Sequence, residues 1–171
     1  MTERKNEVTF QGEPLTLTGI DIGPGDSMPH VDLVSNDLQT VQLADQRAGV
    51  LILASVPSLD TSVCSEETKR FNREAESLPG RVNLVVVSMD LPFAQSRWAE
   101  ENGATNVTLL SDHRQAAFGE SFGVLIKELR LLARAVFVID AEEKIVYRQL
   151  VKEITDEPDY EAAIRAAREQ G

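Results

Sequence analysis

Val50-Leu51-Ile52-Leu53-Ala54-Ser55-Val56 carries no charge, and Pro57-Ser58-Leu59-Asp60-Thr61-Ser62-Val63-Cys64 follows it directly. A short apolar run rich in branched side chains reads as a strand buried on both faces. Asp60, Thr61 and Ser62 can each cap a helix start. Beyond them Cys64, Thr68, Phe71, Ala75 and Leu78 recur at spacings of four and three, which predicts a helix that ends near Leu78, where Pro79-Gly80 stops it. Residues 82–89 form a second apolar run. Strand, helix and strand in this order predict a parallel pair with a right-handed crossover.

The flanks extend this unit. Residues 8–10 and 15–17 flank a turn-like Gln11-Gly12-Glu13-Pro14, and residues 31–34 and 39–43 flank Asn36-Asp37; both read as β-hairpins. A loop rich in Gly and Pro, 23–29, lies between them. After the central unit come a helix over 93–102 with Gly103 as its stop, a strand over 107–110 and a short helix over 114–122. Residues 135–139 and 145–150 flank Asp140-Ala141-Glu142-Glu143-Lys144 as an antiparallel hairpin, and a helix from Asp159 to about Arg168 closes the chain behind Pro158. The sum is an α/β fold with a mixed central sheet, flanking helices and an N-terminal β-hairpin. No repeat or linker divides it, so residues 1–171 are expected to form a single domain.

Composition narrows the function. The 28 acidic and 17 basic residues give a net charge of −11, which repels phosphate backbones and argues against a nucleic-acid partner. No apolar run is long enough to span a bilayer, so no membrane partner is expected. The first six residues are polar and charged, without the apolar core of a signal peptide, which makes the cytoplasm the default location.

Cys64 is the only cysteine, so no internal disulfide is possible. A lone cysteine reads either as a small buried apolar residue or as a reactive thiol. Its place on the core-facing side of the helix favours the first. Its place in the first helical turn favours the second, because unpaired N–H groups and the helix dipole stabilise a thiolate there.

The neighbours of Cys64 decide between these. Pro57-Ser58-Leu59-Asp60-Thr61-Ser62-Val63-Cys64 resembles the peroxiredoxin signature, with Pro, Thr and Cys at relative positions one, five and eight. Met89-Asp90-Leu91-Pro92-Phe93-Ala94-Gln95, Leu132-Ala133-Arg134-Ala135-Val136-Phe137-Val138-Ile139-Asp140 and Glu153-Ile154-Thr155 with Glu157-Pro158-Asp159-Tyr160 are similar to segments of the bacterial thiol peroxidases. The likeness covers nearly the whole chain, in order. It implies a thioredoxin-like fold and an enzyme that reduces hydrogen peroxide and organic hydroperoxides through a sulfenic acid, with thioredoxin or another external thiol as reductant. It also implies a homodimer and no cofactor or metal. The alternatives are a redox sensor, which oxidises without turnover, and a thioredoxin-fold interaction protein with an inert cysteine.

The resemblance assigns roles residue by residue. Cys64 is the nucleophile. The Thr61 hydroxyl, one turn earlier, reaches the sulfur and the bound peroxide, and the N–H groups of Val63 and Cys64 hold an anionic oxygen. Pro57 covers the thiolate. Arg134 is the cation that favours the thiolate and stabilises charge developing on the oxygens. Without the resemblance Thr61 is a plain N-cap, Pro57 a strand terminator and Arg134 a solvated side chain.

One position departs from the family. Bacterial thiol peroxidases carry a resolving cysteine shortly after an Arg-aromatic pair; here the stretch reads Ser96-Arg97-Trp98-Ala99-Glu100, with Ala99 in its place. The first half-reaction is untouched and the recycling route changes. Elsewhere signals are weak. His30 and His113 lack metal-ligand spacing, Glu66, Glu67, Glu74 and Glu76 read as a solvated helix face, and Trp98 as packing.

Overall fold

The computed structural model describes residues 2–170. The central run forms β5 (Val50–Ser55), which leads through loop 56–61 into α1 (Ser62–Ala75) and then into β6 (Val82–Ser88). β5 and β6 pair in parallel, Ile52 opposite Leu84 and Ser55 opposite Val87. β7 (Thr108–Ser111) continues the parallel stack beyond β6. On the other side of β5, β10 (Ala135–Ile139) runs antiparallel and carries β11 (Ile145–Leu150) as its hairpin partner. β3 (Asp32–Val34) and β4 (Thr40–Gln42) complete a mixed seven-stranded sheet in the order β11-β10-β5-β6-β7-β3-β4.

Alternation along β5 divides the interior in two. Val50, Ile52 and Ala54 face α1, α2 (Pro92–Asn102) and α4 (Tyr160–Gln170), packing with Phe71, Trp98 and Ile164. Leu51 and Leu53 face the opposite way, toward α3 (Ala117–Ser121) and the N-terminal hairpin, packing with Phe118, Phe122 and Leu17. Both faces of β5 are covered, which is why its sequence shows no polar alternation.

The N-terminal hairpin is longer than its apolar pattern. β1 (Glu3–Phe10) and β2 (Glu13–Thr18) pair across a two-residue turn, Gln11-Gly12, in which both φ values are positive, 50° and 84°. That turn matches the right-handed twist of the strands. Two short strands absent from the sequence reading, β8 (Leu125–Ile126) and β9 (Leu131–Leu132), join the hairpin in a second sheet of order β1-β2-β8-β9. With two residues each, they are too short to show a period of two.

Helix ends differ from the pattern in two places. α1 stops at Ala75 rather than Leu78, and residues 76–78 continue in tighter turns, Ser77 N–H donating to Glu74 O and Leu78 N–H to Ala75 O. α3 is shorter than residues 114–122 because Ala116 adopts a left-handed φ of 54°. Its start is held by Asp112, whose carboxylate oxygens accept from the Phe118 N–H at 3.0 Å and the Gly119 N–H at 2.8 Å.

Burial pushes the Asp112 carboxyl up to about 6, although the two N–H donors pull the other way. The folded protein therefore holds this proton more tightly than the unfolded chain does. The stability that results is complete below the ordinary value of 3.8 and is lost as pH rises through about 6. Asp112→Asn has no such titration. The variant should therefore lag the wild type in urea denaturation by ~2–3 kcal/mol more at about pH 4 than at about pH 8. A gap that does not change with pH would show that Asp112 has an ordinary acidity.

Candidate active site

Two strand ends meet at the site. β5 ends at Ser55 and β10 begins at Ala135, and these two residues pair across the antiparallel ladder. The Ser55 hydroxyl donates to Ala133 O at 2.7 Å, fastening the chain just before Arg134 to the chain just before Pro57. Arg134 therefore enters the interior beside the start of α1, a relation that 70 residues of sequence separation conceal.

Cys64 has no exposed surface. The Arg134 guanidinium, 1% exposed, donates from Nη2 to Cys64 Sγ at 3.3 Å. Its Nε and Nη2 also donate to the Ile154 carbonyl, at 3.1 and 2.7 Å, and Nη1 donates to the Glu67 carboxylate. A buried charge is costly unless it is paired and hydrogen-bonded, and this one is both. Burial works against the Arg134 charge, but Glu67 and the Cys64 sulfur outweigh it and raise the guanidinium above its ordinary value. Arg134 is thus not a solvated side chain.

Glu67 overturns its sequence reading. It is fully buried, not part of a solvated face, and burial pushes its carboxyl above the usual range against the pull of Arg134. Oε2 accepts from Arg134, while Oε1 has no partner among the described residues. The sequence held a usable signal. Glu67 stands three residues after Cys64 and just before Thr68, so it lies on the buried face of α1. The Ile154 carbonyl carried no such signal, because a backbone acceptor has no residue type.

The remaining expected residues gather at the same place. Thr61 caps α1: its hydroxyl donates to Ser58 O at 2.9 Å and accepts from Cys64 N–H at 3.4 Å. In this state its hydroxyl serves the backbone, and the Cys64 N–H is engaged rather than free. A cleft of about 170 Å³ is lined by Phe10, Pro57, Thr61, Val63, Arg134 and Ile154, among others. Pro57 thus forms part of the wall. Ala99 is half-buried on α2, packed against the helix-side core. His30 pairs with Glu143 at 2.9 Å, and no cluster among the described residues could hold a metal ion. Among the described residues no helix is long and apolar enough to cross a membrane.

The family model described as Redoxin matches residues 23–164. The thiol peroxidase of Bacillus subtilis is 51% identical over 162 residues, covering 95% of this chain and 96% of its own. The chain belongs to the thiol peroxidases of the redoxin family. A peroxiredoxin-like protein from Aquifex aeolicus superimposes with a TM-score of 0.91 at 43% identity, over 98% of both chains. The thiol peroxidase from Chromobacterium violaceum, 24% identical, superimposes with a TM-score of 0.84 over 95% of each chain. The fold of this thiol peroxidase is the thioredoxin-like fold that these structures share, as expected. The sequence lacks a second cysteine, in keeping with Ala99 at the resolving position.

Charge and packing at Arg134 are separable by mutation. Arg134→Met keeps the stem, removes the charge and leaves Glu67 buried without its partner. Peroxide consumption should fall by at least ~100-fold and the melting temperature should drop. Adding Glu67→Gln removes the orphaned carboxylate and should recover much of the stability without recovering the rate. An Arg134→Met variant with an unchanged rate would make the arginine purely structural.

Proposed function

We propose that this enzyme reduces hydrogen peroxide and organic hydroperoxides with Cys64 as nucleophile. The observation that carries the reading is the buried guanidinium that donates to the sulfur at 3.3 Å and also lines a cleft. The thiolate attacks the terminal peroxide oxygen. The S–O bond forms as the O–O bond breaks, and water or an alcohol leaves once the departing oxygen is protonated. Arg134 stabilises negative charge on the oxygens during the exchange. Thr61 positions the first turn of α1, and its hydroxyl can turn from Ser58 O toward the peroxide. The N–H groups of Val63 and Cys64 hold the anionic oxygen once the Thr61 hydroxyl gives up its contact with the Cys64 N–H, and Pro57 limits water. Because Cys64 has no exposed surface, side chains at the cleft shift to admit the peroxide.

The product is a sulfenic acid on Cys64. With Ala99 in place of a resolving cysteine, reduction falls to an external thiol, thioredoxin or a small one. That thiol forms a mixed disulfide with release of water, and a second thiol then frees Cys64. The working unit is a homodimer, packed through exposed apolar residues at the rim of the site. The compartment is the cytoplasm.

Cys64→Ser should abolish peroxide consumption without disturbing the fold. After one equivalent of peroxide, mass spectrometry should find a monomer heavier by one oxygen or its dimedone adduct. Excess peroxide should push the protein on to sulfinic acid, and reduced thioredoxin or a small thiol should restore the thiol if added before that step. A covalent dimer as the main product would mean instead that recycling runs between subunits.

Light scattering of dilute protein checks the assembly. A dimer is expected, and a monomer would remove that part of the reading.

A further inference from the structure

The segment Met89-Asp90-Leu91-Pro92-Phe93-Ala94-Gln95 supplies no group to the cleft, yet one of its side chains grips the loop before Cys64. Asp90 follows β6. Its Oδ1 accepts from the Ser58 hydroxyl at 2.6 Å, and its Oδ2 accepts from the Leu59 N–H at 2.8 Å and from the Ser88 hydroxyl at 2.8 Å. Ser58 passes the hold onward. Its hydroxyl accepts from Asp60 N–H at 3.1 Å, and its carbonyl accepts from both the N–H and the hydroxyl of Thr61, at 3.1 and 2.9 Å. Thr61 then caps Cys64. Behind Asp90, Gln95 Nε2 donates to the Ser88 hydroxyl at 3.0 Å and to Leu110 O at 2.9 Å, so the acceptor is anchored to α2 and β7.

We propose that Asp90 is a positioning residue for the peroxide half-reaction: through Ser58 and Leu59 it fixes the loop that sets Thr61 and the first turn of α1 against Arg134. Residues 57–61 lie between the last residue of β5 and the first of α1, outside the strand ladders, and only Thr61 joins the helix, its carbonyl accepting from Ser65 N–H at 3.0 Å. Asp90 supplies two of the fixed points in this stretch, one to a backbone N–H and one to a side chain. A carboxylate accepting charge-assisted hydrogen bonds holds more strongly than a neutral acceptor. Displacing a reacting group by about 1 Å can cost on the order of 100-fold in rate. The inference rests on Cys64 being the nucleophile.

Asp90→Ala and Asp90→Asn, each compared with wild type, test it through three readings: the rate at which peroxide oxidises Cys64, the rate at which iodoacetamide alkylates it, and amide exchange in residues 58–65. In Asp90→Ala the oxidation rate should fall by roughly 10- to 100-fold. Alkylation, which needs exposure but no aligned oxygen site, should hold or rise, and exchange should quicken in residues 58–65 but not in β10. Asp90→Asn keeps one acceptor oxygen and should fall between the other two. Exchange quickened throughout the chain, β10 included, would show a general loss of stability and overturn the proposal, as would no change in any reading. If wild-type Cys64 proves unreactive to peroxide, the proposed function fails. Alkylation and exchange then still report whether Asp90 holds the loop.

Discussion

A guanidinium with almost no access to water is the constraint around which this structure is organised. Arg134 cannot be left unpaired in the interior without a large desolvation cost. The protein meets that cost with three partners from two places in the fold: Glu67 and the sulfur of Cys64 on α1, and the Ile154 carbonyl from the loop after β11. Glu67 and the carbonyl hold the arginine in the closed site, and the third contact is the useful one. A buried ion pair is weak evidence of net stability. Its value here is placement, since the same contacts that keep the charge buried aim one of its N–H groups at the sulfur.

Each partner is itself held from outside. Ile154 lies next to Glu153, whose carboxylate accepts from Gly12 N–H at the tip of the N-terminal hairpin and from the Thr9 hydroxyl, both at 2.9 Å. With the N–H groups of Gly12 and Thr155 among its donors, that carboxyl is held down at about 2. Thr9 also exchanges backbone bonds with Lys152 and Ile154. A hairpin outside the main sheet thus braces the carbonyl that receives Arg134, and its Phe10 lines the cleft. Asp90 braces the opposite side by gripping Ser58 and Leu59. Cleft, cation and helix start are fixed from both flanks, and neither flank contributes a reacting atom.

Periodicity carried most of the fold into view. The seven uncharged residues from Val50 and the three flanking hairpins were legible because burial on two faces, or a turn between alternating segments, leaves a mark on residue type. β8 and β9 were not, being two residues each. Cys64, Thr61, Pro57 and Val63 were legible as a contiguous motif, and Arg134 only through resemblance, since nothing local foretells that the β5–β10 register places it beside α1. Glu67 was misread because a charged residue on a helix is ordinarily solvated. Its spacing from Cys64 pointed inward, but its partner was 67 positions away.

Ala99 gives the packing of α2 its meaning. Trp98, almost fully buried, donates from its indole nitrogen to the Ser65 hydroxyl at 3.0 Å, one residue past Cys64, and Asn106 beyond the helix bonds Asn72 on α1. Any local opening of α2 would expose an indole and break those bonds. A chain without a second cysteine has no such step to accommodate. α2 can act as a fixed wall, joined to β7 by Gln95 and to α1 by Trp98, so the site that meets the peroxide is also the one that must be reduced. The difficulty then moves to the reductant, which must reach a sulfur with no exposed surface. Arg134, which touches that sulfur, lines the apolar cleft over Val63 and Ile154, so peroxide and reductant face the same buried group.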